Sequence, residues 1–243
     1  MKDILQDIIA HTSALGFIDL IKVTGTDKET TINAIAEDRS VIVSGTFNNP
    51  HPEFLGVVGM PNLGKLKTIV GFEEYDDKAK INVTKQNRNG VDEPVAIHFE
   101  TASGDFVNDY RFMAKSVIEE KVKNVTFKGT GWDIEFEPSV ASILRLKKQS
   151  QANSEEQTFR TVVDNGNLVI HFGDPSTHSG NFIFEAGVNG KVSNKWQWPV
   201  SQIISILSLP GDKKMKIADQ GAMEITVDSG LAVYRYLLPG QTK

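Results

Sequence analysis

The sequence predicts an α+β protein built from two tandem halves, each with antiparallel sheets and helices on one face. Short β-like runs bounded by turn residues outnumber the helical segments. Four amphipathic helices are too few to cover both faces of parallel strands, so antiparallel sheets are expected. The order of helices and strands in the first half also recurs in the second half. The 243 residues are ample for two hydrophobic cores.

The first half is predicted to begin with a helix and to carry a second helix between its strands. At the N-terminus, apolar residues recur every three to four positions: Ile4, Leu5, Ile8, Ile9, Thr12 and Leu15. The runs "FIDLIKV", "TTINAIAE", "SVIVSGTF" and "FLGVVGM" are predicted strands. Asn62 is a predicted N-cap for a helix that places four apolar residues on one side: Leu63, Leu66, Ile69 and Val70. The strands "AKINVTK", "PVAIHFE" and "FVNDYRFMA" then complete this half.

The second half repeats this order after a connector. Residues 114–130, "AKSVIEEKVKNVTFKGT", have weak periodicity and mixed charge, which predicts an extended connector between domains 1–113 and 131–243. A helix from Ser139 and a helix "PVSQIISILSL" are interleaved with strands. The two halves close on the related strands "DYRFM" and "VYRYL", which indicates an internal duplication.

Composition narrows the functional class. The chain has no cysteine, so disulfides and thiolate metal sites are excluded. No stretch approaches the roughly 20 apolar residues that span a bilayer. Asp3 and Asp7 lie where a signal peptide would be apolar, so we expect a cytoplasmic protein without a membrane partner.

Basic residues concentrate on the helices although the net charge is −5. On the helix from Ser139, we expect Val140, Ile143 and Leu144 to form the buried stripe, with Leu146 at its edge. Arg145 and Lys148 would then share the opposite face with Ser142 and Gln149, with Lys147 nearer the core. The other candidate cations are two lysines of the second helix and two that follow the last helix: Lys65, Lys67, Lys213 and Lys214.

Catalytic signals are weak. His171, Asp174 and His178 lie in a loop without a metal-ligand spacing. A second set, Asp133, Glu135 and Glu137, alternates along one strand and is typical of a solvated face, although a hydrolase using these carboxylates stays an alternative. We therefore expect neither catalysis nor a cofactor.

Two long segments resemble the DNA sliding clamps. "KINVTKQNRNGVDEPVAIHFETASGDFVNDYRFM" is similar to the end of the first domain of proliferating cell nuclear antigen (PCNA), the eukaryotic and archaeal clamp. "KKMKIADQGAMEITVDSGLAVYRYLLPG" is similar to the last strands and tail of that clamp. The absence of a third domain also resembles PCNA and the T4-type bacteriophage clamps more than the bacterial β clamp.

The resemblance implies a DNA-clamp fold that closes into a homotrimeric ring, with inner helices and outer antiparallel sheets. A clamp of this kind is a DNA polymerase processivity factor. It encircles double-stranded DNA without reading sequence, binds a replicative polymerase and is loaded by a clamp-loader ATPase. The phage-like traits favour a viral replisome, in the host cytoplasm. A trimeric β-rich virion protein without sliding activity is the alternative.

The resemblance also assigns three sets of residues. The DNA-facing set is Arg145, Lys147, Lys148, Lys65, Lys67, Lys213 and Lys214. Subunits would pair strand 107–114 with strand 180–187 of a neighbour, through Val107, Tyr110, Phe112, Asn181, Phe182 and Phe184. The pocket for a partner peptide would be walled by the connector and the tail: Val117, Ile118, Val122, Val125, Leu237, Leu238 and Pro239.

Overall fold

The computed structural model describes residues 1–88, 90–123, 131–193 and 195–242, with the side chain of residue 88 left out. By contacts the chain divides into two compact units. Unit 1 comprises Met1–Val125 with Ser229–Tyr234, and unit 2 comprises Thr126–Asp228 with Arg235–Lys243. The connector up to residue 123 therefore belongs to unit 1.

In its described residues, unit 1 contains three α-helices and two antiparallel sheets. The helices are α1 (Lys2–His11), α2 (Leu63–Val70) and α3 (Lys115–Lys121). The strands are β1 (Leu20–Gly25), β2 (Thr30–Ile35), β3 (Ile42–Phe47), β4 (Gly56–Pro61), β5 (Lys80–Arg88), β6 (Val91–Glu100) and β7 (Val107–Arg111). They form one sheet in the order β4-β1-β2-β3 and another in the order β5-β6-β7.

The part of unit 2 that the structure describes contains two α-helices and two more antiparallel sheets. The helices are α4 (Val140–Ala152) and α5 (Val200–Leu207). The strands are β8 (Ile134–Phe136), β9 (Thr158–Asp164), β10 (Asn167–Gly173), β11 (Ser179–Ala186), β12 (Gln197–Pro199), β13 (Asp212–Ala218), β14 (Ala222–Asp228) and β15 (Ala232–Pro239). Their orders are β15-β14-β13-β8 and β11-β10-β9-β12, and the residues of β15 up to Tyr234 belong to unit 1.

The predicted layered α+β architecture with antiparallel sheets is confirmed. Strands such as β2, β10 and β14 bury alternate residues, as expected when one sheet face covers a core. Helix α2 buries the four residues that the pattern placed together: Leu63, Leu66, Ile69 and Val70. Among the described ranges, no helix combines the length and apolarity needed to cross a bilayer.

The connector contains a helix, so the prediction of an extended segment is wrong for Lys115–Lys121. Lysine and glutamate are good helix formers, and they dominate this stretch. Ile118 is fully buried against β4 at Gly59, where the absence of a side chain leaves room for it. Tertiary packing of one residue thus fixes a helix too short to show clear periodicity.

Helix α4 turns a different face to the core from the one that hydrophobicity predicted. Val140 is 75% exposed and Leu144 is 51% exposed, whereas Ser142 and Leu146 are buried. The buried hydroxyl of Ser142 is satisfied, since it lies 2.9 Å from the Oγ of Ser139, the N-cap of the helix. A small polar residue with a local partner can face the core, and it leaves two apolar residues on the surface.

Candidate nucleic-acid and subunit interfaces

The exposed cations of α4 are held on a well-formed helix. Ser139 caps its N-terminus by accepting a hydrogen bond from the backbone N–H of Ser142 at 3.1 Å. Arg145 and Lys148 are exposed, and Lys147 is half-buried. These three residues therefore present positive charge from one short element of unit 2.

Lys213 extends this positive charge from a neighbouring strand. It lies on the same face of β13 as the buried Met215 and Ile217, which line a small core cavity together with Leu146 of α4. Partial burial lowers the pKa of Lys213; the carboxylate of Asp212 opposes this effect, and the positive charge of Lys147 adds to it. Two cations thus lie within electrostatic reach of each other, an arrangement that an anion would stabilise.

Lys214 lies on the other face of β13. Its ammonium forms an ion pair with Glu135, and this contact lowers the pKa of the carboxyl group. Lys216 joins the same network through Glu224, with 3.3 Å between Nζ and Oε1. In this state Lys214 is paired with a carboxylate, so its predicted contact with DNA would require it to exchange Glu135 for a phosphate group. The pairing also places Glu135, one of the carboxylates of the hydrolase hypothesis, in a surface ion pair.

Lys65 and Lys67 of α2 are both exposed, on either side of the buried Leu66. Like the cations of α4, they project from a helix whose opposite face packs into the core of its own unit. The positive charge on the helices is therefore present in both units.

Two strand edges end their sheets. β7 is the last strand of β5-β6-β7, and β11 is the first strand of β11-β10-β9-β12. The backbone N–H of Phe112 donates to the carbonyl of Val95 in β6, so by alternation the N–H groups of Asp109 and Arg111 point away from β6. Strand β7 thus offers hydrogen-bonding groups for another strand.

Side chains on these edges divide into exposed and core residues. Val107 on β7 is 47% exposed, and Ile183 on β11 is 44% exposed. Asn181 is also exposed, and Phe112 and Phe182 are half-buried. The side chains of Tyr110 and Phe184, in contrast, are buried in the cores of their own units, so these two residues could join the predicted interface only through their backbone groups.

Sequence reasoning missed three exposed apolar residues of unit 2: Val140, Leu144 and Ile183. Helix α4 packs against β11, and the guanidinium of Arg145 lies 6.0 Å from the centre of the Phe182 ring. A cation at this distance is attracted to the ring face. No hydrophobic pattern would have found Val140 and Leu144 on the surface, because their spacing with Ile143 predicts a buried stripe and the burial of Ser142 depends on its local partner Ser139.

The predicted partner pocket is only partly accessible. Ile118 and Val122 are buried in unit 1, and Leu238 is buried in unit 2, so these three residues belong to cores. Val117 is 42% exposed. Leu237 is half-buried and Pro239 is exposed. Val125 lies outside the described residues.

A cluster of charged side chains around His98 lies on the surface of the β5-β6-β7 sheet. His98 Nδ1 lies 2.9 Å from Asp109, its cross-strand neighbour on β7, and Nε2 lies 3.3 Å from Glu100. The hydrogen bond to Asp109 is the main cause that raises the pKa of His98; partial burial opposes it. Glu100 in turn forms an ion pair with Lys80 at 3.2 Å. The cluster ties β7 to the rest of its sheet.

Solved structures share this architecture over nearly the whole chain. PCNA from Thermococcus kodakaraensis matches with a TM-score of 0.68 and 10% identity, covering 98% of this chain and 97% of that one. A. fulgidus PCNA, bound to the C-terminal region of FEN-1, matches with a TM-score of 0.68 and 10% identity, covering 100% of this chain and 95% of that one. PCNA from Entamoeba histolytica gives 0.67 and 12% identity, with 99% and 94% coverage.

By sequence, no family model matches the chain, and neither does any curated protein. The similarity is therefore one of three-dimensional structure. The chain has the fold of the DNA sliding clamps, which confirms the fold predicted from the sequence. The clamps that it matches include the PCNA structures from Thermococcus kodakaraensis, A. fulgidus and Entamoeba histolytica.

Proposed function

We propose that the protein is a sliding clamp, a DNA polymerase processivity factor that encircles duplex DNA as a homotrimeric ring. The observation that carries the proposal is the clamp fold over at least 98% of the chain in the three matches. The proposed clamp has no catalytic activity of its own. Its partners are a replicative polymerase and a clamp-loader ATPase, in the cytoplasm of a host cell if the clamp serves a phage.

The helix cations support the DNA contact. Arg145, Lys147 and Lys148 on α4 and Lys213 on β13 form a local positive surface in a protein whose net charge is −5. Basic side chains attract phosphate without reading sequence, and such a contact permits sliding. Lys65 and Lys67 would add weaker contacts from α2.

The two sheet edges support ring closure. Pairing of β7 with β11 of a neighbouring subunit would use two different surfaces, and such a head-to-tail contact closes if the rotation is right. It would cover the exposed Val107 and Ile183 and remove two free strand edges, which otherwise invite aggregation. Val140 and Leu144 of α4 are further apolar residues for this contact.

Leu237 and Pro239 of unit 2 are accessible, and we propose that they contact the clamp-binding peptide of the polymerase. A few apolar anchors can supply most of the affinity of such a contact. Ile118, Val122 and Leu238 are buried, so they would not contact the peptide and would only hold the neighbouring backbone in place.

The function is tested by topology. The ring is assembled from subunits at high protein concentration around a nicked circular plasmid, and the plasmid is then cut once with a restriction enzyme. A clamp stays on the circle at moderate salt and slides off the linear DNA. Equal retention on both forms, or on neither, would contradict a clamp and favour a groove-binding or a structural protein, respectively.

The proposed contact between the α4 cations and DNA is tested by charge reversal. Lys147→Glu combined with Lys148→Glu turns attraction for phosphate into repulsion, so we expect retention on the circle to fall at least about tenfold at moderate salt. The control is Lys28→Glu with Lys78→Glu, which makes the same charge change at two exposed sites of unit 1. Equal losses in both variants would show that net charge, rather than the α4 surface, governs retention.

A further inference from the structure

Unit 1 contains a groove separate from the surfaces assigned above to DNA and to the polymerase peptide. It borders the strand assigned to the subunit contact, since Arg111, Phe112 and Met113 are among its lining residues. Its volume is about 710 Å³, and it lies between the start of β4, the β5–β6 hairpin and the first residue of α3. A cavity of this size is in the range that accommodates several side chains.

The groove exposes apolar side chains that the core does not use. Leu55, just before β4, is 38% exposed, and Val91, at the start of β6, is 61% exposed. The half-buried Val57 and the buried Pro94 also line the groove. Apolar side chains gathered in one concave site, rather than scattered singly, are typical of a binding surface.

A free strand edge runs along the groove. Gly59 of β4 exchanges two backbone hydrogen bonds with Met113, at 2.9 and 2.7 Å, on the side away from β1. By alternation, the N–H and C=O of Val57 point to that same side. The ladder cannot continue to Val57, because its next partner would be Lys115, where the chain has already entered α3. Val57 therefore presents both backbone groups to the groove.

The charges around the groove indicate what would fill it. Lys85, Arg111 and Lys115 are exposed, and none of the three forms an ion pair within the ranges that the structure describes. The hairpin contributes two carboxylates, of which Asp92 accepts a hydrogen bond from the amide of Asn87 at 2.9 Å. Three cations beside an apolar floor complement an occupant that combines apolar and acidic side chains.

We propose that this groove binds an extended peptide segment of a partner protein, in which apolar and acidic residues alternate. The segment would add as a strand to β4 at Val57, set apolar side chains against Leu55 and Val91, and direct carboxylates to Lys85 and Lys115. Strand addition supplies affinity through the backbone and specificity through alternate side chains. The site goes beyond the proposed clamp function, because it requires neither DNA nor a closed ring.

The probe is a fluorescent peptide, Glu-Val-Asp-Leu-Asp-Val, compared with Lys-Val-Lys-Leu-Lys-Val. Fluorescence anisotropy should show saturable binding of the acidic peptide alone. Mass spectrometry should show slower amide exchange in residues 55–58 when it is bound. We expect Val91→Asp, and separately Lys85→Glu with Lys115→Glu, to weaken binding at least about tenfold.

The matched control is Leu231→Asp, which places the same charge on another exposed apolar site of unit 1, 43% exposed and outside the groove. It should bind the acidic peptide like the parent. The proposal is overturned if the acidic peptide does not bind, or if the control loses as much affinity as Val91→Asp. It is also overturned if Val91→Asp changes the mass in solution but leaves peptide binding intact, because a second copy of the chain would then occupy the groove.

Discussion

At the scale of single residues, Asp7 shows how a charged side chain on α1 becomes structural. Asp7 lies outside the apolar set that the spacing of this helix defines, yet its side chain is only 8% exposed. The hydroxyl of Tyr234 donates to Asp7 Oδ2 at 2.7 Å, and the ring of His11 stacks on Tyr234 with 4.4 Å between the ring centres. Burial alone would raise the pKa of Asp7, but the hydrogen bonds from His11 and Tyr234 outweigh it and lower the pKa below the ordinary 3.8.

The lowered pKa of Asp7 makes the free energy of unfolding depend on pH. Because the folded pKa of Asp7 is depressed, its contribution is present above the unfolded pKa and is lost as pH falls through the folded value. We expect Asp7→Asn to lower the free energy of unfolding by about 1–3 kcal/mol at pH 7. The difference from the parent should shrink towards pH 3, as measured by urea unfolding. Tyr234→Phe should lose less, about 1 kcal/mol. A deficit for Asp7→Asn that is the same at both pH values would contradict the charge-based explanation.

At the scale of elements, α3 depends on a close approach to β4. A Cβ added at Gly59 would lie 2.9 Å from Cγ1 of Ile118 and from Cβ of Met113, which is closer than real contacts allow. The Ile118 side chain thus occupies the space that a side chain at residue 59 would need. A glycine in mid-strand here is required for packing rather than for backbone freedom.

We therefore expect Gly59→Ala to destabilise the protein by about 1–3 kcal/mol through overpacking. Ile118→Ala should cost about 2–5 kcal/mol through the cavity that it leaves. The double variant should cost less than the sum, because the new methyl group fills part of that cavity. Thermal and urea unfolding of the four proteins would measure this coupling, and strict additivity would show that the two residues do not share the space.

At the scale of the whole molecule, the sequence predicted the fold better than the surfaces. Element order, antiparallel pairing and the buried face of α2 followed from periodicity, because each of these depends on many residues acting together. The exposure of Val140 and the burial of Asp7 did not follow from it. The burial of Asp7 depends on a long-range hydrogen bond from Tyr234, and the exposure of Val140 depends on the capping contact between Ser139 and Ser142. A pattern of hydrophobicity contains no information on either contact. The pairing of Lys214 with Glu135 was missed for the same reason.

The proposed ring predicts a change in molecular mass when an edge is altered. Ile183→Asp places a charge on the 44% exposed side chain of β11, so folding should persist while a dry subunit contact would not form. We expect light scattering at tens of micromolar to give a trimer for the parent and a monomer for this variant. Leu231→Asp, at a similarly exposed apolar site, should stay trimeric.

A trimeric Ile183→Asp variant would place the subunit contact elsewhere than β11. A monomeric parent protein would contradict the proposed trimeric ring.

The membership of β15 in both units has a consequence for synthesis on the ribosome. Tyr234, the partner of Asp7, is 227 positions away in the chain, and Ser229–Tyr234 are part of unit 1. During translation, unit 1 therefore cannot complete its fold until residues 229–234 have been synthesised, near the end of the chain. Contacts this distant in sequence also slow folding after release. A nascent chain stalled at residue 125 would carry α1 and β1–β7 with the buried carboxylate of Asp7 still lacking its tyrosine hydroxyl.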